Sequence, residues 1–276
     1  MFLRVIGVLA LVIGAVQTGY GQDAANQTSV PAQQQQPPSS TTSEPITRSI
    51  GWATLVPNIL DDQKQIYWRF PGQVARGKHW VPIAGVMAVT AALIATDQFS
   101  APHFRSSSTY RDFNNVFSGT NASLGILLTP VSMYGVGLLT HDSYAQKTAL
   151  FAGEALADSE ILDEVLKLTT RRARPESISQ QGNFADTWLD SHTITDGGFV
   201  SGHTIAAFSV ATVIADRYGR RHRWVPYVAY GLAATVGFSR VSLSAHFPSD
   251  VFLGAAFGYA ISHFAVLRSS RHFSDQ

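Results

Sequence analysis

The sequence predicts an all-α protein: a six-helix bundle, membrane-embedded or membrane-associated. Three observations carry this. First, six apolar blocks follow one another, 80–96, 122–140, 144–168, 204–218, 224–238 and 251–267, and their lengths and Ala, Gly and Leu content suit helices better than strands. Second, charged residues make up only 14% of the 276-residue chain and apolar residues 45%, whereas soluble domains carry about 25% charged residues. Third, small residues such as Gly254, Ala255, Ala256 and Gly258 allow helices to approach closely.

The elements follow in order. Arg4, the apolar run 5–16 and the small-x-small triplet Gly19-Tyr20-Gly21 read as an export signal over 1–21, cleaved near Gln22 or retained as an anchor. Residues 22–47, rich in Gln, Ser, Thr and Pro, cannot bury a core and read as a disordered linker. Residues 48–79 form a short amphipathic segment with Trp52, Tyr67, Trp68 and Phe70, broken at Pro57 and Pro71-Gly72, and suit a surface helix or lid. The bundle occupies 80–268, and 269–276 is a tail. A net charge of +1 excludes bulk nucleic-acid binding. The absence of cysteine excludes disulfides and thiolate chemistry.

The connections carry the chemistry. Lys167-x6-Arg174-Pro175 and Ser201-Gly202-His203 lie between the third and fourth helices, and Ser239-Arg240-x5-His246-x3-Asp250 lies between the fifth and sixth. In an up-and-down bundle both connections fall at one end. Lys167 and Arg174, two helical turns apart, can share a face before Pro175 ends the helix. A plain helix end with an Asp163–Lys167 i,i+4 pair explains this segment better when it is taken alone. Arg171 and Arg172 read as surface residues. Ser201 is a favoured N-cap, and the first N–H groups at Gly202 and His203 would face an anion. A capped helix with a surface histidine is the plain alternative. His246 and Asp250, four apart at the start of the sixth helix, would let the carboxylate hold one ring nitrogen and present the other. The plain alternative there is an Asp250 N-cap beside an incidental His246.

Lys167, Arg174 and Arg240 can neutralise a phosphoryl group, with the arginines making bidentate contacts. No cofactor is expected. A metal site built from His192, His203, His246 and Asp250 is not expected either, since three nearby cations would repel a divalent ion and no familiar ligand spacing is present.

These three segments resemble the signature of the type 2 phosphatidic acid phosphatase superfamily, which shares its fold with vanadium haloperoxidases and bacterial class A acid phosphatases. The family patterns are K-x6-R-P, P-S-G-H and S-R-x5-H-x3-D. The first and third match in full, and Val200 stands where the second has proline. The resemblance covers roughly 80–267. It implies a bundle of the acid phosphatase/haloperoxidase type and a metal-independent phosphatase. His246 would be the nucleophile that forms a phosphohistidine, Asp250 its orienting carboxylate, and His203 the acid that protonates the leaving oxygen and then activates water. Lys167, Arg174, Ser201, Gly202 and Arg240 would bind the phosphoryl oxygens. The expected substrate is a lipid or isoprenoid (di)phosphate, or a small phosphomonoester. The alternatives are a vanadate-dependent haloperoxidase and a non-catalytic membrane protein that binds a phosphorylated ligand.

Arg217, Arg220, Arg221 and Arg223, with Arg268 and Arg271, fall at the bundle end opposite the motifs, as the positive-inside rule requires for an outward-facing site. The expected location is therefore an inner membrane with the site facing the periplasm, or the periplasm itself. Against spanning, several blocks fall short of the ~20 residues a bilayer needs. The third block also carries Glu154, Asp158, Glu160, Asp163 and Glu164, which are costly in lipid unless they face the bundle interior.

Overall fold

The six apolar blocks fold as helices, each longer than its apolar run. The computed structural model describes residues 48–106, 109–179, 182–184, 186–189 and 197–267. The expected signal, linker and tail, together with His192, Asp196, Arg268 and Arg271, lie outside the described residues. Ile50–Arg268 is one compact unit. Of the second unit, Met1–Ser49 with Ser269–Gln276, only residues 48 and 49 are described, and they lie outside regular structure.

The helices are α1 Leu55–Lys64, α2 Phe70–Ala75, α3 Trp80–Ser106, α4 Arg111–Val116, α5 Gly119–Leu139, α6 Ser143–Thr170, α7 Gly202–Tyr218, α8 Val225–Ser242 and α9 Pro248–Ala260. A π-helical turn, Gln65–Arg69, joins α1 to α2, and another, Ile261–Val266, extends α9. Polar caps account for the added length. Ser118 Oγ accepts from Asn121 N at the start of α5, and Asp142 Oδ1 accepts from Tyr144 N and Ala145 N at the start of α6. Such residues close a helix without adding to its apolar periodicity.

Three of these helices correct the expectation of short spans. Trp80–Phe104, Gly119–Leu139 and Pro248–Val266 are 25, 21 and 19 residues long and, by length and composition, apolar enough to cross a membrane.

Helix α7 is the axis of the bundle and packs on α6, α8 and α9. Ile205, Val213, Thr204, Ser209 and Thr212 are wholly buried on it. Close approach depends on small side chains: a Cβ at Gly258 would overlap the Ile205 carbonyl of α7. Hydroxyls bridge the contact. Ser159 and Ser209 lie Oγ to Oγ at 2.6 Å, and Ser262 Oγ donates to Ser209 O at 2.8 Å. The acidic residues of α6 divide as lipid would require. Glu154, Asp158 and Asp163 are buried in the bundle, while Glu160 and Glu164 are exposed.

The segment before α3 is helical and packs against α6. Asn58 Nδ2 donates to Glu154 Oε2 at 3.5 Å and Gln63 Nε2 to Asp158 Oδ1 at 2.7 Å. At the end of the bundle away from the motifs, Arg220, Arg221 and Arg223 are exposed. Arg217, expected among them, instead folds back on α6, with Nε on Thr148 Oγ1 at 2.6 Å and its guanidinium over the Tyr144 ring.

Candidate active site

The first cationic segment is split between a helix and a loop. Helix α6 ends at Thr170, and Arg171 takes the left-handed conformation, φ 43°, as its cap. Arg174 is therefore extended backbone beyond the helix, with Pro175 opening a short 3-10 turn. This corrects the expectation that Lys167 and Arg174 share one helix face with Pro175 ending it. Lys167 Nζ lies 2.5 Å from Asp163 Oδ2 and 3.3 Å from Glu164 Oε1. Burial pushes its ammonium down, but the Asp163 bond and the two carboxylates push it up further, so it is held above the ordinary lysine range. Arg174 Nη1 lies 3.6 Å from Glu176 Oε1 at a partly exposed rim.

Ser201 is the N-cap of α7, as expected, but its hydroxyl makes no capping bond. It accepts instead from Thr204 Oγ1 at 2.9 Å. Gly202 is needed for space as well as for its N–H, since a Cβ there would overlap the Asp163 carboxylate. Helix α6 and the start of α7 thus meet through that carboxylate. His203 turns toward the start of α5, with Nε2 at 2.8 Å from Ser123 Oγ and 3.1 Å from Gly119 O. A carbonyl only accepts, so Nε2 carries the proton of that bond.

The third segment closes the site. Arg240 is buried near the end of α8. Its Nη2 donates to Phe117 O and, at 2.7 Å, to Ser239 Oγ, and its Nε donates to Ser239 Oγ at 3.0 Å. His246 Nδ1 lies 2.7 Å from Gly198 O, so the backbone just before Ser201 fixes its tautomer and leaves Nε2 with its lone pair. The two connections are tied again by Ser201 N donating to Asp250 O at 3.2 Å.

Asp250 does not hold the ring. Its Oδ2 accepts from Phe247 N at 2.8 Å, and its Oδ1 from Arg172 Nη1 at 2.6 Å. This corrects the orienting role expected for it. In a helix, i,i+4 proximity brings two side chains together only when both residues are helical, and His246 lies in the loop before α9.

Arg172, expected on the surface, is 1% exposed. Its Nη2 donates to Asp97 Oδ2 at 2.7 Å, Nη1 to Ser249 Oγ at 2.8 Å, and Nε to Thr187 Oγ1 at 3.1 Å. The Phe247 and Trp188 rings flank its guanidinium at 4.2 and 4.7 Å. Ser249 Oγ also donates to Asp97 Oδ2. This hub joins α3, the loop after α6 and the start of α9 directly behind His246. Gly198 N donates to Arg172 O at 2.6 Å, so the glycine that holds the histidine is itself held by the hub residue.

The electrostatics of the pocket follow from its cations. Burial first, then Arg174, with His203 and Arg240 adding to them, pushes His246 down to about 3 against the opposing Gly198 bond. Burial and then Arg240, with Lys167 and Arg174 adding, push His203 down to about 4 despite its bond to Gly119. Burial lowers Arg240 to about 10, and it stays a cation at neutral pH. The site therefore holds two neutral imidazoles beside three cations, which suits an incoming polyanion.

The sequence did not point to Gly119, Ser123, Asp97 or Gly198 as site residues, and it placed Arg172 on the surface. The first three lie outside every motif. Gly198 acts through its backbone carbonyl, which has no side-chain signature. Arg172 alone carried a signal, a third arginine beside the first motif.

Residues 148–273 match the family model described as the PAP2 superfamily. A lipid A 1-phosphatase of Rhizobium etli is 34% identical over 119 residues, covering 42% of this chain and 45% of that protein. A lipid phosphate phosphatase gamma of Arabidopsis thaliana is 30% identical over 143 residues, covering 48% of this chain and 59% of its own length. A lipid A 1-phosphatase of Porphyromonas gingivalis is 36% identical over 77 residues, 28% of this chain and 17% of that protein. The chain thus spans well under two thirds of each of these relatives. Among solved structures, a transmembrane PAP2 type phosphatidylglycerolphosphate phosphatase from Bacillus subtilis superimposes with a TM-score of 0.50 at 20% identity, covering 70% of this chain and 97% of that one. At that identity the likeness is one of fold.

Proposed function

We propose that the chain is a PAP2-type membrane phosphatase acting on a phosphorylated lipid through a phosphohistidine, a reading supported by the match of residues 148–273 to the PAP2 superfamily model. The observation that carries this reading is a buried His246, its Nδ1 held by Gly198 O, in the field of the Arg174 and Arg240 cations that also act on His203.

In this reading the phosphoryl oxygens sit among Lys167, Arg174, Arg240 and the N–H groups that open α7 at Gly202 and His203. These groups neutralise the charge of an in-line displacement. His246 Nε2 attacks phosphorus as the ester P–O bond breaks. The positive charge arising on the imidazole is shared through Nδ1–H with the Gly198 carbonyl. His203, carrying a proton on both ring nitrogens once the substrate's charge is in place, gives its Nε2 proton to the leaving oxygen, and the Nε2 of the neutral ring then takes one from the water that cleaves the P–N bond. The bound phosphate offsets the cations that depress His203, so substrate charge itself raises the proton affinity of the acid. The lipid substrate is supported by the named activities of the relatives and by three helices long and apolar enough to cross a bilayer. The pocket and the exposed Arg220, Arg221 and Arg223 lie at opposite ends of the bundle, which favours a site facing the periplasm of an exporting cell.

The test is phosphate release from phosphatidic acid, phosphatidylglycerol phosphate, an isoprenoid diphosphate, lipid A and a water-soluble monoester. Hydrolysis of at least one lipid is expected, abolished by His246→Ala, inhibited by vanadate and unaffected by chelators. Full turnover in His246→Ala would remove the nucleophile, and hydrolysis confined to the soluble ester would remove the lipid substrate.

A further inference from the structure

The segment before α3 is amphipathic in the wrong sense for water. On α1 and the turn that follows it, the polar residues face inward: Asp62 is 0% and Gln65 7% exposed, against α6. Several apolar residues face outward: Trp52, in the turn before α1, is 65%, Val56 64%, Leu60 59% and Trp68 78% exposed, while Ile66 and Tyr67 pack on the core. Val56, Leu60 and the exposed Lys64 recur every four residues on α1, one stripe of that helix, and Trp52 precedes it. A helix on a water-facing surface shows the opposite pattern. An outward apolar stripe on an inward polar face fits a helix whose outer medium is hydrocarbon.

The surroundings name that medium. The segment touches or continues into each of the three candidate spans. Trp52 Nε1 donates to Tyr134 OH of α5 at 2.7 Å. Phe70 and His79 pack on Phe264 in the extension of α9, with ring centroids 5.5 and 5.2 Å apart. The chain then runs directly into Trp80 at the start of α3. Its stripe continues the outer face of α5, where Leu127 and Val131 are 56% and 58% exposed. Its depth follows from the same contacts. Phe264 lies 14 residues beyond Asp250, about 20 Å along a helix from the pocket end. Lys64, Arg69, Arg76 and Lys78 are exposed along it, and tryptophan with lysine and arginine is the composition of a membrane boundary.

We propose that residues 52–80 form an in-plane helical collar in the membrane boundary opposite the phosphate pocket, with Trp52, Val56, Leu60 and Trp68 in the acyl layer. Lys64, Arg76 and Lys78 meet anionic headgroups there, while Arg69 is paired with Asp61 at 3.1 Å. This rests on the membrane reading above but not on the reaction. The collar fixes the depth at which the bundle sits, and so the height of the pocket above the opposite leaflet.

The chain has no cysteine, so single-cysteine spin labels can be placed on the full-length protein directly. Val56→Cys and Leu60→Cys report the collar, Leu127→Cys a lipid-facing reference and Arg220→Cys a water-facing one. All are reconstituted in phosphatidylglycerol–phosphatidylcholine vesicles. Collision with oxygen and exclusion of a nickel chelate at 56 and 60, matching 127, are expected. Nickel access matching 220 overturns the proposal. Immobilised labels shielded from both reagents would assign the stripe to a protein partner and also overturn it. A water-exposed 127 would instead refute the membrane reading beneath it. Joint replacement Lys64→Gln, Arg76→Gln and Lys78→Gln is expected to shrink the motionally restricted fraction of spin-labelled phosphatidylglycerol. An unchanged fraction overturns the headgroup contact. None of these readouts depends on phosphate release.

Discussion

Arg172 and Arg240 are the same residue type, both almost fully buried, 1% and 2% exposed, yet they sit in opposite electrostatic situations. Arg172 faces two carboxylates, Asp97 and Asp250, at 2.7 and 2.6 Å, with a hydroxyl on Nε and rings on both faces. Its charge is consumed inside the protein. Arg240 is held by a backbone carbonyl and the Ser239 hydroxyl, which fix its direction and leave its charge intact. Burial alone does not separate a structural arginine from an anion-binding one. What satisfies the guanidinium does.

That contrast can be broken in three ways. The largest effect is expected from Arg172→Ala, which leaves Asp97 and Asp250 buried without their cation and should cost about 3–5 kcal/mol of stability. Thermal unfolding in detergent reads it, and Arg172→Lys should not restore the loss, because one ammonium cannot span the same fork of partners. An unchanged melting temperature would show that the hub is not structural. Arg240→Ala should do the reverse and lower kcat/KM by roughly 10²–10³, with little change in melting temperature. A destabilised but active Arg240→Ala would erase the distinction.

Asp250→Asn tests the boundary between the two regions. With Gly198 holding the ring, the substitution should lower stability by about 1.5–3 kcal/mol, the worth of a hydrogen bond to a charged partner, and leave the pH profile of turnover in place. A loss near ~10⁴ in kcat at intact stability, the mark of a ring left in the wrong tautomer, would restore the carboxylate as the orienting group.

The smallest effect concerns protons. His246 and His203 fall to about 3 and about 4 in the folded chain, below the ordinary 6.5. The unfolded chain therefore takes up protons first, so both groups erode stability as pH falls below about 6.5 and contribute nothing above it. Vanadate should reverse part of this by neutralising the cations. Its binding at pH 6 should take up more protons in the parent protein than in His203→Asn, measured calorimetrically in two buffers of different ionisation enthalpy. Equal uptake would separate His203 from the anion.

The legible part of this protein was what recurs along the chain. Helix positions followed from apolar runs, and the pocket side of the site followed from motif spacing because Lys167, Arg174, His203, Arg240 and His246 each offer chemistry through their own side chain. The helix ends were less legible, since Asp142 and Ser118 extend helices without being apolar. The role of Asp250 was misread because spacing of four was treated as helical on both sides, whereas His246 precedes the helix.

By itself, the sequence determined that this is an all-helical chain with one cation-rich rim and two histidines, since periodicity and residue chemistry are local properties. Only the tertiary structure decided which carbonyl holds His246, that Arg172 lies inside and Arg240 faces the pocket, and that the first helix turns its apolar stripe outward. Those outcomes depend on which groups from distant segments meet, and partners of that kind leave no local trace in either one's neighbourhood.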